Sequence, residues 1–153
     1  VILPFGLRTK KAYTTLIFTK KPLRLPVTDQ IPLTTGKNIL EPFNISLTVR
    51  AQKRPSAIKL HNHNVAFFDR QKAGALSVRT FRPGDRFFPL GMNHYVKLKD
   101  FFISRKIPKE ERRFIPLLTS GNDIIWIIGH RIDERYKVTE TTREILKVAA
   151  SPL

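Results

Sequence analysis

The chain has 153 residues, 41% of them hydrophobic and 10% aromatic, a composition typical of one globular domain and not of a disordered tail. It contains no cysteine, which excludes disulfides, zinc–thiolate sites and cysteine nucleophiles and agrees with a cytoplasmic location. The formal net charge is +16, so we expect an anionic partner.

The charge is unevenly distributed along the chain. Residues 1–76 hold 13 Lys and Arg against 3 Asp and Glu, residues 77–113 hold 10 against 4, and residues 114–153 hold 5 against 5. The basic surface is therefore predicted in the first two thirds, with the last third as scaffold. The longest apolar run, Ile124–Ile128, has the length of a strand, so no membrane partner is expected. The start lacks Met and reverses the order of a secretory signal, which predicts a piece of a longer protein.

Strand patterns dominate the first half of the chain. Ala12–Lys20 is rich in aromatic and β-branched residues and predicts a strand. Asn44–Gln52 alternates apolar and polar residues, as a half-buried strand does. Lys53–Asn64 is polar and predicts a loop or a mobile hairpin. A helix is excluded from the stretch between these strands by three residues, Pro22, Pro26 and Pro32.

Two further strands are predicted at Val65–Phe68 and Ala75–Phe81, around a turn at Gln71–Gly74. The second leads into Pro83-Gly84, where proline fixes φ and glycine supplies the positive φ of a type II turn.

The next segment predicts short helices. Val96–Ser104 has apolar residues at helical spacing on one face, with Lys97, Lys99 and Asp100 left to solvent. Pro108 suits the first position of a second helix, whose early acidic and late basic residues complement the helix dipole.

The last third predicts mostly strands. Pro116–Thr119 and Ile124–Ile128 are expected to pair as a hairpin around residues 120–123. Ile132–Val138 predicts another strand, and Arg143–Val148 a strand or a short helix. The whole pattern predicts an α+β fold, mostly β with one or two short helices.

The candidate functional feature is a cluster of cations interleaved with aromatic residues between Ser77 and Leu118. Such a surface can hold the phosphate and ribose oxygens of RNA, whereas many charge runs are simply solvated faces. Arg131 and Arg135 are second-rank candidates, because alternating signs around them also predict cross-strand ion pairs. The first-rank RNA-contact candidates are Arg79, Arg82, Arg86, Lys97, Lys99, Arg105, Lys106, Arg112 and Arg113.

Other residues in and near the cluster have structural interpretations. Asp85, after Pro-Gly, is predicted to stabilise the turn or orient an arginine, since no second acid or nucleophile accompanies it. The phenylalanines are expected to fill the core and not to stack bases. His61 and His63 lack further ligands, so no metal site is predicted, and His94 and His130 are isolated.

Five motifs of this region occur in a specific order and spacing: RPGDRF from Arg82, PLGM from Pro89, KLKDFF from Lys97, KIP from Lys106 and GHRIDERYKVTE from Gly129. Together they resemble the C-terminal domain of bacterial tRNA(Ile)-lysidine synthetase. The similarity is dense from Phe81 to Thr142 and looser upstream. It implies a fold similar to a domain of the phenylalanyl-tRNA synthetase β chain, and one tRNA-binding domain over residues 1–153.

The resemblance also implies partners. In that family an N-terminal ATP-pyrophosphatase domain with a Ser-Gly-Gly-x-Asp-Ser loop uses ATP, with magnesium, and lysine to convert the wobble cytidine of tRNA(Ile) to lysidine. This chain has only Ser120-Gly121-Asn122-Asp123, so no catalytic residue, cofactor or metal is predicted within it. The expected partners are the acceptor stem of tRNA(Ile) and the catalytic domain of the parent chain, with a homodimer left open. The rival functions are a free-standing RNA-binding protein and a structural or dimerisation module.

Overall fold

The computed structural model describes residues 8–12, 15–19, 29–58 and 62–153, the first two ranges as backbone alone. Its helices are α1 (Leu98–Ser104) and α2 (Lys109–Arg112). In chain order its strands are β1 (Arg8–Ala12), β2 (Thr15–Thr19), β3 (Ile31–Pro32), β4 (Gly36–Leu40), β5 (Ile45–Lys53), β6 (Val65–Asp69), β7 (Leu76–Arg79), β8 (Arg86–Phe87), β9 (Val96–Lys97), β10 (Leu117–Ser120), β11 (Asp123–Ile127), β12 (Arg131–Ile132) and β13 (Glu144–Pro152).

These strands form four antiparallel groups. β1 and β2 pair as a hairpin, and β8 pairs with β9 as a two-stranded ribbon. A four-stranded sheet has the order β4-β5-β13-β6, with a nine-residue ladder between β5 and β13. A five-stranded sheet has the order β12-β11-β10-β7-β3. Two short 3-10 turns, Glu41–Phe43 and Glu134–Tyr136, complete the described elements.

The two larger sheets pack face to face around the first hydrophobic core. Phe68 of β6 and Trp126 of β11 meet edge to face in it, with ring centroids 6.5 Å apart. The buried members of this core are Leu40, Leu47, Val49, Ala66, Phe68, Leu76, Val78, Leu118, Ile125, Trp126, Ile128 and Val148. Removing this apolar surface from water is the main stabilising contribution to folding.

A second core lies between α1, the β8–β9 ribbon and the β10–β11 hairpin. Leu98, Phe101 and Phe102 form the buried face of α1, at the spacing i, i+3, i+4. They pack with Phe87 of β8, with Ile107, and with Leu117, Ile124 and Ile127 of the hairpin. The β10–β11 hairpin thus serves both cores, and α1 and the ribbon form a third layer over the five-stranded sheet.

Most predicted elements are confirmed. The helix predicted over residues 96–104 is confirmed from Leu98 onward, whereas Val96 and Lys97 form β9. The hairpin around residues 120–123 and the turn at residues 71–74 agree with the structure. The core phenylalanines are confirmed as well, three of them buried and Phe81 and Phe88 half-buried. The α+β class with two short helices is confirmed as well. Arg143–Val148 proves to be part of the long strand β13. The predicted strand over residues 12–20 contains β2, whereas β1 was not predicted. The predicted loop over residues 53–64 includes residues 59–61, which lie outside the described part.

The predicted strand over residues 132–138 is wrong. Only Arg131 and Ile132 pair with β11, and a 3-10 turn follows. Asp133 is the reason, because its buried carboxylate accepts a hydrogen bond from the backbone N–H of Arg135 and caps the turn. Of the described helices, none has the length and apolar character needed to cross a membrane.

The turn before β8 is built on a buried ion pair. Gly84 has φ +88°, and the N–H of Asp85 donates to the carbonyl of Arg82 at 3.1 Å, as a type II turn requires. The guanidinium of Arg79 donates to both carboxylate oxygens of Asp85, at 2.7 and 2.9 Å. Asp85 also accepts from the backbone N–H of Arg82 at 2.7 Å. The structural role predicted for Asp85 is therefore confirmed.

Replacing Asp85 tests this pair. Asp85→Ala leaves the buried Arg79 guanidinium without its partner and is expected to lower the free energy of unfolding in urea by about 3–5 kcal/mol. The matched control is Glu144→Ala, which breaks the exposed pair between Arg70 and Glu144 at 3.3 Å and should cost no more than about 1 kcal/mol. Adding Arg79→Met to Asp85→Ala should restore most of the loss. Equal losses of unfolding free energy in Asp85→Ala and Glu144→Ala would contradict a structural role for the pair between Arg79 and Asp85.

Candidate nucleic-acid interface

The β8–β9 ribbon places two cations side by side. Arg86 and Lys97 are register partners on the antiparallel strands, and both side chains are exposed. Like charges at directly opposite positions destabilise a strand pair. Each strand has only two residues, so the ladder has few other interactions to offset this repulsion. An anion between the two side chains would remove it.

The ribbon forms one end of a groove beside α1. This end has a volume of about 410 Å³ and is lined by Arg86, His94, Tyr95, Val96, Lys97 and Asp100. A second hollow of about 670 Å³ adjoins it, because Val96 and Asp100 line both. The second hollow is lined further by Pro89, Met92, Phe101, Ser104, Arg105 and Arg131. We call the two hollows together the α1 groove.

The cations of the α1 groove come from four elements. Arg86 lies on β8, Lys97 on β9, Arg105 at the end of α1 and Arg131 on β12. The guanidinium of Arg105 lies 5.2 Å from the ring centroid of Phe101, a cation–π contact that holds it over the groove. In the described part of the chain, no salt bridge joins any of these four cations to a carboxylate.

Tyr95 forms an aromatic wall of the groove and is held in place by Arg135. The Arg135 guanidinium donates to the Tyr95 hydroxyl at 2.9 Å and lies 5.1 Å from the ring centroid. Arg135 is itself held by Asp133, which has no exposed surface and accepts from its Nε and Nη2 at 3.0 and 2.9 Å. Asp133 raises the pKa of the Arg135 guanidinium above its ordinary value, so Arg135 is always charged. Arg135 thus forms ion pairs, a second one with Asp123 at 3.4 Å, but it does so from a 3-10 turn and not across paired strands as predicted.

His130 lies behind the second hollow. Its ring meets Phe101 edge to face, with centroids 6.4 Å apart. Burial lowers the pKa of His130 below its usual 6.5, and the positive charge of Arg105 lowers it further. The imidazole is therefore neutral at pH 7, and Arg105 is not repelled by a second cation there.

The structure corrects one RNA-contact candidate. Arg79 was predicted to contact RNA, but its side chain is 7% exposed and its guanidinium is occupied by Asp85 and by the carbonyl of Thr80. Arg79 ends β7, whose residues Leu76 and Val78 belong to the first core, and Arg79 is itself buried. Arg79 therefore positions the turn and is not available to a ligand.

The remaining candidates divide between the groove and its surroundings. Arg86, Lys97 and Arg105 line the α1 groove together with the second-rank Arg131, whereas the second-rank Arg135 lies behind Tyr95. Arg112 is half-buried, and its Nε donates to the carbonyl of Ile107 at 2.9 Å. The exposed candidates that do not line the groove are Arg82, Lys99, Lys106 and Arg113.

Two functional residues were not predicted from the sequence, Tyr95 and Asp133. Tyr95 follows His94 in a polar stretch without helical or strand periodicity, so no pattern distinguished it from an ordinary loop residue. Asp133 was predicted to form a cross-strand ion pair, because the signs around it alternate along a predicted strand.

A second pair of cations lies on the other side of the molecule. Arg50 of β5 and Lys147 of β13 are register partners on the four-stranded sheet. Their neighbours Val49 and Val148 point into the first core, so Arg50 and Lys147 point away from it and from the α1 layer. Lys147 and Arg50 line a shallow hollow of about 220 Å³. Arg50 and Lys147 therefore carry the same charge as Arg86 and Lys97 in the same cross-strand arrangement, but they do not line the α1 groove.

Comparison with known proteins agrees with this architecture. A solved structure described as the TilS C-terminal domain covers 86% of this chain and 95% of its own, with a TM-score of 0.64 and 23% identity, which shows the fold. An N-terminal fragment of the phenylalanyl-tRNA synthetase β-subunit from Pyrococcus horikoshii is more distant, at 18% identity and a TM-score of 0.48 over 57% of this chain and 28% of its own. The chain thus has the fold of a C-terminal domain found in larger proteins.

Sequence comparison names the family. Residues 76–148 match the family model described as the TilS substrate C-terminal domain. The tRNA(Ile)-lysidine synthase of Clostridium acetobutylicum is 41% identical over 113 residues, and that of Dehalococcoides mccartyi 44% over 112 residues. These alignments cover 72% and 71% of this chain and 24% of each synthase, so the chain spans about a quarter of these relatives. Residues 76–148 belong to the family of C-terminal domains of tRNA(Ile)-lysidine synthases.

Tyr136 gives a titration test of the scaffold behind the groove. Its hydroxyl donates to Asp123 at 2.6 Å, and burial together with this hydrogen bond raises the pKa of Tyr136 from 10.0 to about 12. The folded state therefore holds this proton more tightly than the unfolded state between pH 10 and 12. Stability from this hydrogen bond is present below pH 10 and is lost as the pH rises through 12.

We expect the phenolate absorbance of the folded chain to show one tyrosine titrating near pH 12. Tyr136→Phe should remove this late transition, and Asp123→Asn should move it toward pH 10. A titration in which Tyr136→Phe removes only an early transition would contradict the assignment.

Proposed function

We propose that this chain is the tRNA-binding domain of a tRNA(Ile)-lysidine synthase and that it holds the acceptor stem of tRNA(Ile) in the α1 groove. The observation that carries the proposal is the convergence of Arg86, Lys97, Arg105 and Arg131 from four elements onto one groove. Exposed Lys99, Lys106 and Arg82 extend the same layer.

The chemistry of the groove fits a sugar-phosphate backbone. Arginine forks bind phosphate oxygens in pairs, and lysine supplies a point charge, so the two residue types together follow a chain of phosphates. Such contacts fix position and orientation on the RNA and carry little sequence information. The cations are free to do this because, in the part of the chain described, they are not neutralised by carboxylates.

The proposed role is anchoring and not catalysis. Within the described ranges, no group of three or more His, Asp or Glu side chains is placed to hold a metal ion. We assign ATP, magnesium, lysine and the conversion of the wobble cytidine to another domain of the parent enzyme, because this chain spans about a quarter of the synthases it matches. A second contact far from the anticodon would raise the affinity for the correct tRNA through effective concentration. A cytoplasmic location is part of the same proposal and agrees with the absence of cysteine.

The test compares two matched pairs of substitutions in binding to a tRNA(Ile) transcript. Arg86→Gln with Lys97→Gln removes the cross-strand cations of the groove, and Arg50→Gln with Lys147→Gln removes those of the other face. Both double variants lose two positive charges at register partners on antiparallel strands.

The groove variant is expected to bind about tenfold more weakly or worse, and its plot of log affinity against log salt should be less steep by about 2, the loss of two phosphate contacts. The control variant should keep most of the affinity and most of the salt dependence. Equal effects would show that only net charge matters. No binding by the unmodified chain would reject the proposal and favour the structural or dimerisation module, which measurement of the oligomeric state would then test.

A further inference from the structure

Tyr95 is a fixed aromatic surface at the ribbon end of the α1 groove. Its side chain is 53% exposed, and no other Phe, Tyr or Trp in the described part of the chain is as open to solvent. Exposed aromatic rings usually move between rotamers, but this one is held by Arg135 at its hydroxyl and by Phe88, whose ring meets it edge to face at 5.3 Å. Its conformational entropy is therefore already lost before any ligand binds.

Both cations and a carboxylate lie near the ring of Tyr95. Arg86 and Lys97 lie across the ribbon from each other and attract a phosphate. Asp100, in the first turn of α1, is the only carboxylate among the described residues that line the groove, and it repels phosphate. A groove for phosphates alone gains nothing from Asp100. A carboxylate between cations and an aromatic ring is instead suited to accept hydrogen bonds from an amino group.

We propose that the ribbon end of the α1 groove binds one unpaired nucleotide whose base carries an amino group. The base stacks on Tyr95, its amino group donates to Asp100, and its phosphate lies between Arg86 and Lys97. This inference rests on the proposed function, since it takes RNA as the ligand of the groove, and it adds a site that reads a single base.

The dimensions and the chemistry of RNA support an unpaired nucleotide. A hollow of about 410 Å³ lies within the range of about 300–1,000 Å³ usual for small-ligand sites. A base inside a duplex is stacked on both faces and cannot reach a tyrosine, so the nucleotide must lie in a loop or at an end. The adjoining hollow, with Arg105 and Arg131, lets the neighbouring backbone continue along α1.

The base preference follows from Asp100. Adenine and cytosine present amino groups on their Watson–Crick edges, whereas uracil presents a carbonyl at the equivalent position. A carbonyl facing a carboxylate repels it, and the remaining donor of that edge, the N3–H of uracil, is displaced from the position of the amino group. We therefore expect adenine or cytosine to be preferred to uracil by about 5-fold or more.

The experiment uses a blunt-ended RNA duplex and the same duplex with one overhanging adenosine, cytidine or uridine. The measured quantity is the ratio of the blunt-end Kd to the overhang Kd for the unmodified chain. Stacking on a protein aromatic ring predicts a ratio of about 5 to 100 for adenosine and cytidine. The ratio for uridine should be smaller.

Two variants separate stacking from base reading. Tyr95→Ala should bring every ratio close to 1, whereas Tyr95→Phe, which keeps the ring, should retain most of it. Asp100→Ala should strengthen binding of all the RNAs, because a negative charge is lost, and should abolish the preference for adenosine over uridine. A purely electrostatic role for Asp100 would change the affinity without changing this preference.

The outcomes separate this inference from the proposed function. If the blunt duplex binds and the overhang adds nothing, the nucleotide site is rejected and the proposed function stands. A ratio that survives Tyr95→Ala, or a base preference that survives Asp100→Ala, also overturns the inference. If neither RNA binds, both proposals fail. As a control, the double variant Arg50→Gln with Lys147→Gln should leave the ratio of blunt-end Kd to overhang Kd unchanged.

Discussion

The groove depends first on a carboxylate that water does not reach. Asp133 has no exposed surface, and burying a charge of this kind is costly unless donors replace its hydration. Four donors do so: the backbone N–H of Phe88 at 2.9 Å, and the backbone N–H, Nε and Nη2 of Arg135 at 2.9–3.0 Å. One donor lies directly after β8, and three belong to the residue that holds Tyr95. Asp133 therefore joins the ribbon to the aromatic wall of the groove.

A second acid, largely shielded from water, fixes the other end of β8. The carboxylate of Asp85 receives the guanidinium of Arg79, and its backbone carbonyl accepts from the N–H of Leu98 at 2.9 Å, where α1 begins. Two-residue strands are far shorter than those that are stable by themselves. The ribbon nevertheless holds a repelling pair, Arg86 and Lys97, because both ends of β8 are tied by charge-assisted hydrogen bonds to the scaffold beneath. The groove is thus stabilised by residues that do not line it, chiefly Asp85 and Asp133.

The sequence predicted what is local. The Pro83-Gly84 turn, the apolar face of α1 and the β10–β11 hairpin each follow from residues within one turn or one hairpin, so their patterns were readable. The groove could not be predicted in this way, because it depends on a contact between Asp133 and Phe88, which lies 45 positions earlier in the chain. Arg79 shows the same limit: its carboxylate partner Asp85 lies beyond the Pro-Gly turn, and periodicity along one strand does not reveal a pair of this kind. The exposed and buried members of the predicted cluster could not be separated from the sequence.

The same residue type serves two functions here, and its pairing decides which. Arg79 and Arg135 have carboxylate partners, lie wholly or partly buried, and build the structure. Arg86, Arg105 and Arg131 have no carboxylate partner within the described residues and line the groove. An arginine already neutralised by two carboxylate oxygens has little left for a phosphate, whereas an unpaired one beside a like charge lowers its free energy by binding an anion. Among residues of equal charge in one cluster, we therefore infer that a missing partner marks the ligand-binding members.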